Sequence, residues 1–515
     1  MARIKCSKQK VVFLTWFIIA AVYARSPNGG NVNNEVNVTV DNLRITQVTD
    51  ERFLSVAVDA SGLANHWARV DLNNPELLVI AQALEPLYLR VGGTVEDSLY
   101  FDEEFTVTEF DNVIDDELLV DERRVLPLDK AIFNGNDWDK LNTFIQKLPR
   151  TELYFGLNVL IRKDGAWDPS NALKLFQYTE RKNYSVNFQL GNEPTDFKHI
   201  FHTELTPEQD AADFIKLRSI LNKFPKLKNS KLVGPDSNDP RKLRNLQYFT
   251  KFIKHAAPYV NGTTWHQYYT NGRTATLDTF VDADLLDTLR KSIENTVSVV
   301  HNVKPKCQVW LGETSSTYGG GTEGLSDRYV AGFMWLDKLG LSARYGLSVV
   351  VRQSLIHGHY ALINDDYSPR PDFWLSWIYK NLVSKYVLDV IVKPQTNKVR
   401  LYAHCIKSQA SGYPKNTVVL YGMNLMNSDV NINLPVKLFD KGAYLYLLTP
   451  HGPEGLRSKL VELNGEALLL PEGKWFPPLQ SKVYIPPGKP IRMPAKTFGF
   501  VTLLSKTDNV CNSLI

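Results

Sequence analysis

Between about residue 51 and residue 385, eight short runs rich in β-branched and aromatic residues alternate with amphipathic stretches. The runs are FLSVAVDA, LYLRVGG, ELYFGLNVL, VNFQLGN, KLVGPD, TTWHQYY, QVWLGET and LSVVVRQ. Between them, NDWDKLNTFIQKL, NALKLFQYTERKN and AADFIKLRSILNKF carry apolar residues three and four apart, the period of a helix with one buried face. Runs that are apolar throughout suit parallel strands covered on both faces, and each parallel pair needs a long crossover that a helix supplies. Eight such units predict an α/β fold of the closed (β/α)8, or TIM-barrel, type over residues 51–385.

Beyond residue 385 the pattern changes. VLDVIVKP, KVRLYAHCI, NTVVLYGMNL, NINLPVKL, AYLYLLTP, KLVELNGEALLL and FGFVTLL are strand-like, separated by Gly, Pro, Asn and Asp, with no long helix among them. Residues 386–515 are therefore expected to form an antiparallel β-sandwich. The segment 37–50, which carries most of the strand-like EVNVTV, is expected to join it. Residues 102–124 fit neither pattern: ten acids stand against Arg123 and Arg124, an exposed acidic insertion between the second and third barrel strands.

The first 24 residues stand apart. MARIKCSKQK carries four basic residues and no acid, VVFLTWFIIAAVYA is apolar but short for a bilayer crossing, and Val22-Tyr23-Ala24 suits a small-residue cleavage site. Residues 1–24 are expected to be a secretory signal peptide. Without them the formal charge of +4 falls to near zero, because Arg3, Lys5, Lys8 and Lys10 leave. Such a chain does not grip nucleic acid by bulk charge, and affinity for an acidic polymer needs a local patch.

Cysteine usage fits the same route. Of the four cysteines, Cys6 leaves with the signal, and the other three cannot all pair within one chain. Cys405, in a strand-like run, and Cys511, near the C-terminus, are expected to bridge, which makes Cys307 a free buried thiol. No CxxC or His/Cys cluster points to a metal, and no cofactor is expected. Asn37, Asn183 and Asn261 each open an N-x-Ser/Thr sequon and are expected glycosylation sites. Residence in the extracellular matrix, at the cell surface or in lysosomes follows as an expectation.

In a (β/α)8 barrel the side chains at the carboxyl ends of the strands face the active site. Two of the eight runs end in glutamate: VNFQLGNEP reaches Glu193 and QVWLGET reaches Glu313. Either alone suits a structural acid at a strand end, but the pair across a cleft is the equipment for glycosidic cleavage. One carboxyl stays protonated to protonate the leaving oxygen, and the other attacks the anomeric carbon when the two stand roughly 5–5.5 Å apart. Asn192 is placed to bond a sugar hydroxyl beside the reacting carbon. WHQYYTNGR sets His266, Tyr268 and Arg273 after the sixth run, and a tyrosine there can donate to the nucleophilic carboxylate and keep it ionised. In TYGGG, Tyr318 offers a stacking face, and Gly319 and Gly320 offer backbone donors close to an anionic group.

LGNEP, WHQYYTNGRTAT, WLGETSSTYGGG and GFMWLDKLGLSAR together resemble the heparanases, retaining endo-β-glucuronidases of heparan sulfate, and the likeness runs from about residue 40 to the C-terminus. The resemblance implies a (β/α)8 barrel with a β-sandwich, Glu193 as acid/base and Glu313 as nucleophile. It places Asp59, Thr94, Asn192, Arg241, His266, Arg273, Tyr318, Gly319, Gly320 and Tyr360 on sugar-contacting positions, and it implies the Cys405–Cys511 bridge as well. The implied partner is a heparan sulfate proteoglycan or a related glucuronate-containing glycosaminoglycan, with no nucleic acid and no obligate protein partner.

The departures carry their own expectations. Vertebrate heparanases have a longer linker after the second strand, which is excised, followed by a lysine-rich segment. Here that region is short and acidic, so a single active chain is expected, with Arg123-Arg124 the obvious dibasic site. The family's lysine pair after LGNEP is replaced by His199 and Ile200, while PRKLR keeps Arg241, Lys242 and Arg244. Fewer basic subsites predict a preference for sparsely sulfated heparan sulfate. The alternatives are a hyaluronan endo-β-glucuronidase of the same fold and a non-catalytic matrix-binding relative. A pure binder has no use for two carboxylates that repel its acidic ligand.

Overall fold

The computed structural model describes residues 34–106, 130–408, 410, 412–470, 476 and 479–514. The expected signal peptide, the Arg123-Arg124 pair and most of the acidic insertion lie outside these residues.

Eight parallel strands form the barrel: Leu54–Asp59, Leu87–Gly92, Thr151–Leu157, Asn187–Leu190, Val233–Ser237, Gly262–Gln267, Gln308–Thr314 and Val349–Arg352. They are the first to eighth strands below. In space they run 4-3-2-1-8-7-6-5, and a parallel bridge from Phe188 to Leu232 links the fourth to the fifth. A long helix follows each strand, and several of these helices begin where the sequence supplies caps. Asn74 and Thr206 accept first-turn backbone N–H groups just before Pro75 and Pro207, whose missing donors would be unpaired there anyway.

The barrel interior is filled, not hollow. Ala57, Tyr88, Tyr154, Val233, Trp310, Val349 and Val351 pack in one buried cluster, with Tyr88 stacked on Trp310 at 4.8 Å. Leu89, Val91 and Leu311 face the helices instead. Arg90 stands two residues after Tyr88 and therefore points inward one layer higher, directly under the mouth.

The second domain shares the strand Val383–Lys393 between two sheets. The N-terminal strand Asn34–Asp41 pairs antiparallel with it, Val38 opposite Val392, and parallel with Val430–Asn433. On the other side the order continues through Val399–Ile406, Val418–Asn424, Thr497–Leu503 and Ala443–Pro450. Val36, Val38, Val40 and Ile432 from one sheet meet Leu401, Ala403, Leu420 and Val501 from the other in a common core. The opposite face of the larger sheet packs on the barrel through Tyr402, Ile406, Val419 and Tyr421, so Val399–Ile406 is buried at every position.

Its seat is the barrel helix Ala331–Arg344. A Cβ on Gly340 would stand 2.1 Å from the Tyr402 ring, so only glycine admits this contact. Cys405 and Cys511 are bridged, with Cα atoms 5.5 Å apart, and Cys307 is free and buried. Among the described residues no helix is long and apolar enough to cross a membrane.

Candidate active site

The carboxyl ends of the strands open into a cleft of about 630 Å³. At its floor, ligand atoms of Glu193, His266 and Glu313 all lie within 4.8 Å of one another. Strict alternation would not put Glu313 there. Trp310 faces the interior and Leu311 the helices, so Glu313 would share the outward side of Leu311. An irregularity in the pairing with the eighth strand falls between Leu311 and Thr314. It breaks the period of two and turns the carboxylate into the mouth.

Glu193 reaches the cleft by a different device. It sits at φ +52°, in the left-handed region that non-glycine residues seldom occupy. Its N–H donates to the Asp236 carbonyl at 2.9 Å. The preceding residue is tied by Asp97, which accepts the Asn192 N–H on one oxygen at 2.9 Å and the Val159 N–H on the other at 3.1 Å. Burial pushes Asp97 up to about 7, against the pull of those two backbone donors.

Around Glu313 the donors converge. The buried Arg90 donates to Oε2 at 2.7 Å and Tyr268 donates its hydroxyl to Oε1 at 2.7 Å. Burial alone would push the Glu313 carboxyl up. The His266 and Arg90 charges, with the Tyr268 and Arg90 hydrogen bonds, outweigh it and hold Glu313 below the ordinary carboxylate range. Glu193 goes the other way: burial, then the nearby Glu313 and Asp196 charges, raise it despite the bond from His266. His266 Nδ1 lies 2.9 Å from Glu193 Oε1, and Nε2 faces Asp236 at 3.4 Å. Burial pulls the imidazole down, but Glu313, Asp236 and Glu193 push it up to about 10, so it is a cation at neutral pH.

The site therefore holds one carboxyl pushed towards its protonated form and one pushed towards its ionised form, close together in a cleft. The same three side chains have the spacing of a cation site. However, the Arg90 guanidinium already occupies Glu313 and His266 is itself positive, so a metal ion would meet two like charges.

Asp59, Thr94, Arg241, His266, Tyr268, Tyr318, Gly319, Gly320 and Tyr360 line the cleft with the two glutamates. Gly319 and Gly320 lie at φ +76° and +79°, and a Cβ on Gly321 would stand 2.7 Å from the Tyr360 nitrogen, which accounts for three glycines in a row. Asn192 is buried, with its Oδ1 bonded by Arg90 at 2.8 Å. Arg273 is exposed on the turn after the sixth strand and is not among the cleft-lining residues. Of the basic residues, Arg241 pairs with Asp239 at 3.4 Å and Arg244 with Asp196 at 3.0 Å, while Lys242 and His199 line the cleft.

Residues 55–340 match the N-terminal domain of glycosyl hydrolase family 79. The chain belongs to that family. Its relatives include the heparanase of Bos taurus, 36% identical over 491 residues and 89% of each chain. The hyaluronoglucuronidase of Hirudo nipponia is 34% identical over 505 residues, 93% of this chain and 99% of that one. The solved structure of a 4-O-α-L-rhamnosyl-β-D-glucuronidase from Fusarium oxysporum superposes with a TM-score of 0.64 at 16% identity, covering 91% of this chain and 100% of that one, and so shows the shared fold. This family 79 chain is a glycoside hydrolase with a TIM barrel and a β-sandwich.

Sequence reading missed Arg90, Asp97 and Asp236. Arg90 had left a signal: a lone arginine inside the apolar run LYLRVGG is a buried charge that needs partners. Asp97 and Asp236 gave none, because their partners come from other strands.

Proposed function

We propose that this chain is a retaining endo-β-glucuronidase that cleaves heparan sulfate, with Glu313 as nucleophile and Glu193 as acid/base. The observation that carries the proposal is the opposed pair: two carboxyls with oxygens within 4.8 Å of each other, Glu313 pushed towards the ionised form and Glu193 towards the protonated one. That bound is closer to the roughly 5–5.5 Å of retaining enzymes than to the roughly 6.5–9.5 Å of inverting ones, and so supports a retaining mechanism.

Glu313 attacks the anomeric carbon while Glu193 gives its proton to the leaving oxygen. Glu193, now ionised beside the His266 cation, then takes a proton from the water that releases the sugar. Tyr268 and Arg90 hold Glu313 in line for attack, and Asp97 with the Asp236 carbonyl fixes the loop that carries Glu193.

Both heparan sulfate and hyaluronan present β-linked glucuronate, so the choice lies in the flanking subsites. Arg241 and Lys242 in the cleft support a sulfated polymer, and the ion pair between Arg241 and Asp239 supports sparse sulfation over dense. The exposed sequon residues Asn37, Asn183 and Asn261, together with the expected signal peptide, support a secreted glycoprotein acting in the matrix or in lysosomes. The test is to incubate purified protein with each polymer and size the products, with Glu313→Gln as control. Shortened heparan sulfate with hyaluronan intact is expected, and the converse would transfer the function to hyaluronan cleavage.

A further inference from the structure

One buried lysine behind the site has no part in this mechanism. Lys338 lies on the helix Ala331–Arg344 and is 0% exposed. Its Nζ donates to Gln267 Oε1 at 2.8 Å, to the Ser315 carbonyl at 2.7 Å and to Thr314 Oγ1. The Thr314 hydroxyl in turn donates to the Gln267 carbonyl. A buried amine needs acceptors for its hydrogens, and here its acceptors, the Gln267 carbonyl at 3.4 Å included, belong to just two strand ends. Those ends flank the nucleophile and its phenol: Gln267 directly precedes Tyr268, and Thr314 and Ser315 directly follow Glu313.

We propose that Lys338 is a positioning residue for the Tyr268–Glu313 pair, clamping the ends of the sixth and seventh strands together from behind so that the phenol stays on the carboxylate. The proposal rests on the reading of Glu313 as nucleophile. The helix that carries the clamp is itself fixed from the other side. Asp337, the neighbouring residue, accepts Arg400 Nη2 at 3.0 Å and the Tyr402 hydroxyl at 2.6 Å, both from the sandwich. Neighbouring residues on one helix thus bind the sandwich and the strand ends beneath the cleft. Loss of the clamp frees Tyr268 to drift from Glu313, which weakens both the aim of the carboxylate and its ionisation.

The experiment uses the full chain and a 2-deoxy-2-fluoro-β-glucuronyl fluoride. A Glu313 oxygen bonds to C1 as the C1–F bond breaks and fluoride leaves, and the 2-fluoro group slows hydrolysis of the resulting ester. Wild type should be labelled at Glu313. In Lys338→Met the same residue should be labelled roughly 10- to 100-fold more slowly at saturating probe. Half-saturation should stay within about twofold, and the acid limb of the rate–pH profile should move to higher pH. Thr314→Val should shift rate and profile the same way by a smaller factor. A folded Lys338→Met that labels at the wild-type rate with the wild-type profile overturns the clamp, because a merely structural lysine would lower only the melting temperature. If Lys338→Met does not fold, an unchanged rate and profile in Thr314→Val overturns it. A label on another residue of wild type removes the nucleophile assignment, and the clamp with it.

Discussion

Glu193 and Glu313 end two parallel strands of one barrel and meet in one cleft, yet their surroundings push their carboxyls in opposite directions. The Glu313 side chain, 10% exposed, is held by a guanidinium and a phenol with an imidazolium near by. The Glu193 side chain, 21% exposed, has one imidazole bond and faces two other carboxylates. Being a glutamate at a strand end therefore does not set the role. The charges and donors around each carboxylate do.

The largest expected effect comes from removing the more tightly held member. Glu313→Gln should bring turnover to background on every substrate, because it removes the attacking carboxylate. Glu193→Gln should separate substrates instead. Cleavage of the polymer should fall by about 10²- to 10⁴-fold, while the first step on an aryl glucuronide whose leaving group needs no proton should be largely spared. Equal losses on both substrates would erase the difference between the two glutamates.

A smaller change should sharpen the comparison. Tyr268→Phe deletes one charge-assisted hydrogen bond, of about 1.5–3 kcal/mol, or roughly 10- to 100-fold in rate. It should move Glu313 towards the ordinary carboxylate range. In wild type, activity should be lost as pH falls through the lowered Glu313 value and lost again as pH rises through the raised Glu193 value. Tyr268→Phe should shift the acid limb upward and leave the alkaline limb in place, as kcat/KM against pH will report. Movement of the alkaline limb alone would mean that Tyr268 serves Glu193.

How much of this was legible in the sequence follows from where each interaction lies. The eight strands were, because burial on both faces writes itself as a continuous apolar run such as QVWL. Glu193 and Glu313 were, because a carboxylate at the end of such a run stands out. The turn of Glu313 into the mouth was not, since it depends on a pairing irregularity with the eighth strand that leaves no mark in QVWLGET. Nor was the link from Asp97 to Asn192, 95 residues apart. Arg273 was read as a sugar contact from its motif; the structure puts it in a turn where its backbone N–H donates to Asn271 Oδ1 at 2.9 Å and its side chain is exposed.

The sandwich provides the smallest effect on the chemistry. Replacing Cys405 and Cys511 together with serine should lower stability by about 2–5 kcal/mol in chemical denaturation. It should leave kcat unchanged below the transition, since the bridge is in the sandwich core and away from both glutamates. A fall in kcat with the fold intact would show that the sandwich core, and not only the helix seated on it, controls the site.

The central claim is that Glu313 attacks and Glu193 protonates. Proton NMR of the sugar end released from a heparan sulfate oligosaccharide, recorded before mutarotation, tests it most directly. Two displacements at one carbon predict the β anomer as first product. Initial appearance of the α anomer would mean direct attack by water, and would contradict the assignment of Glu313 as nucleophile.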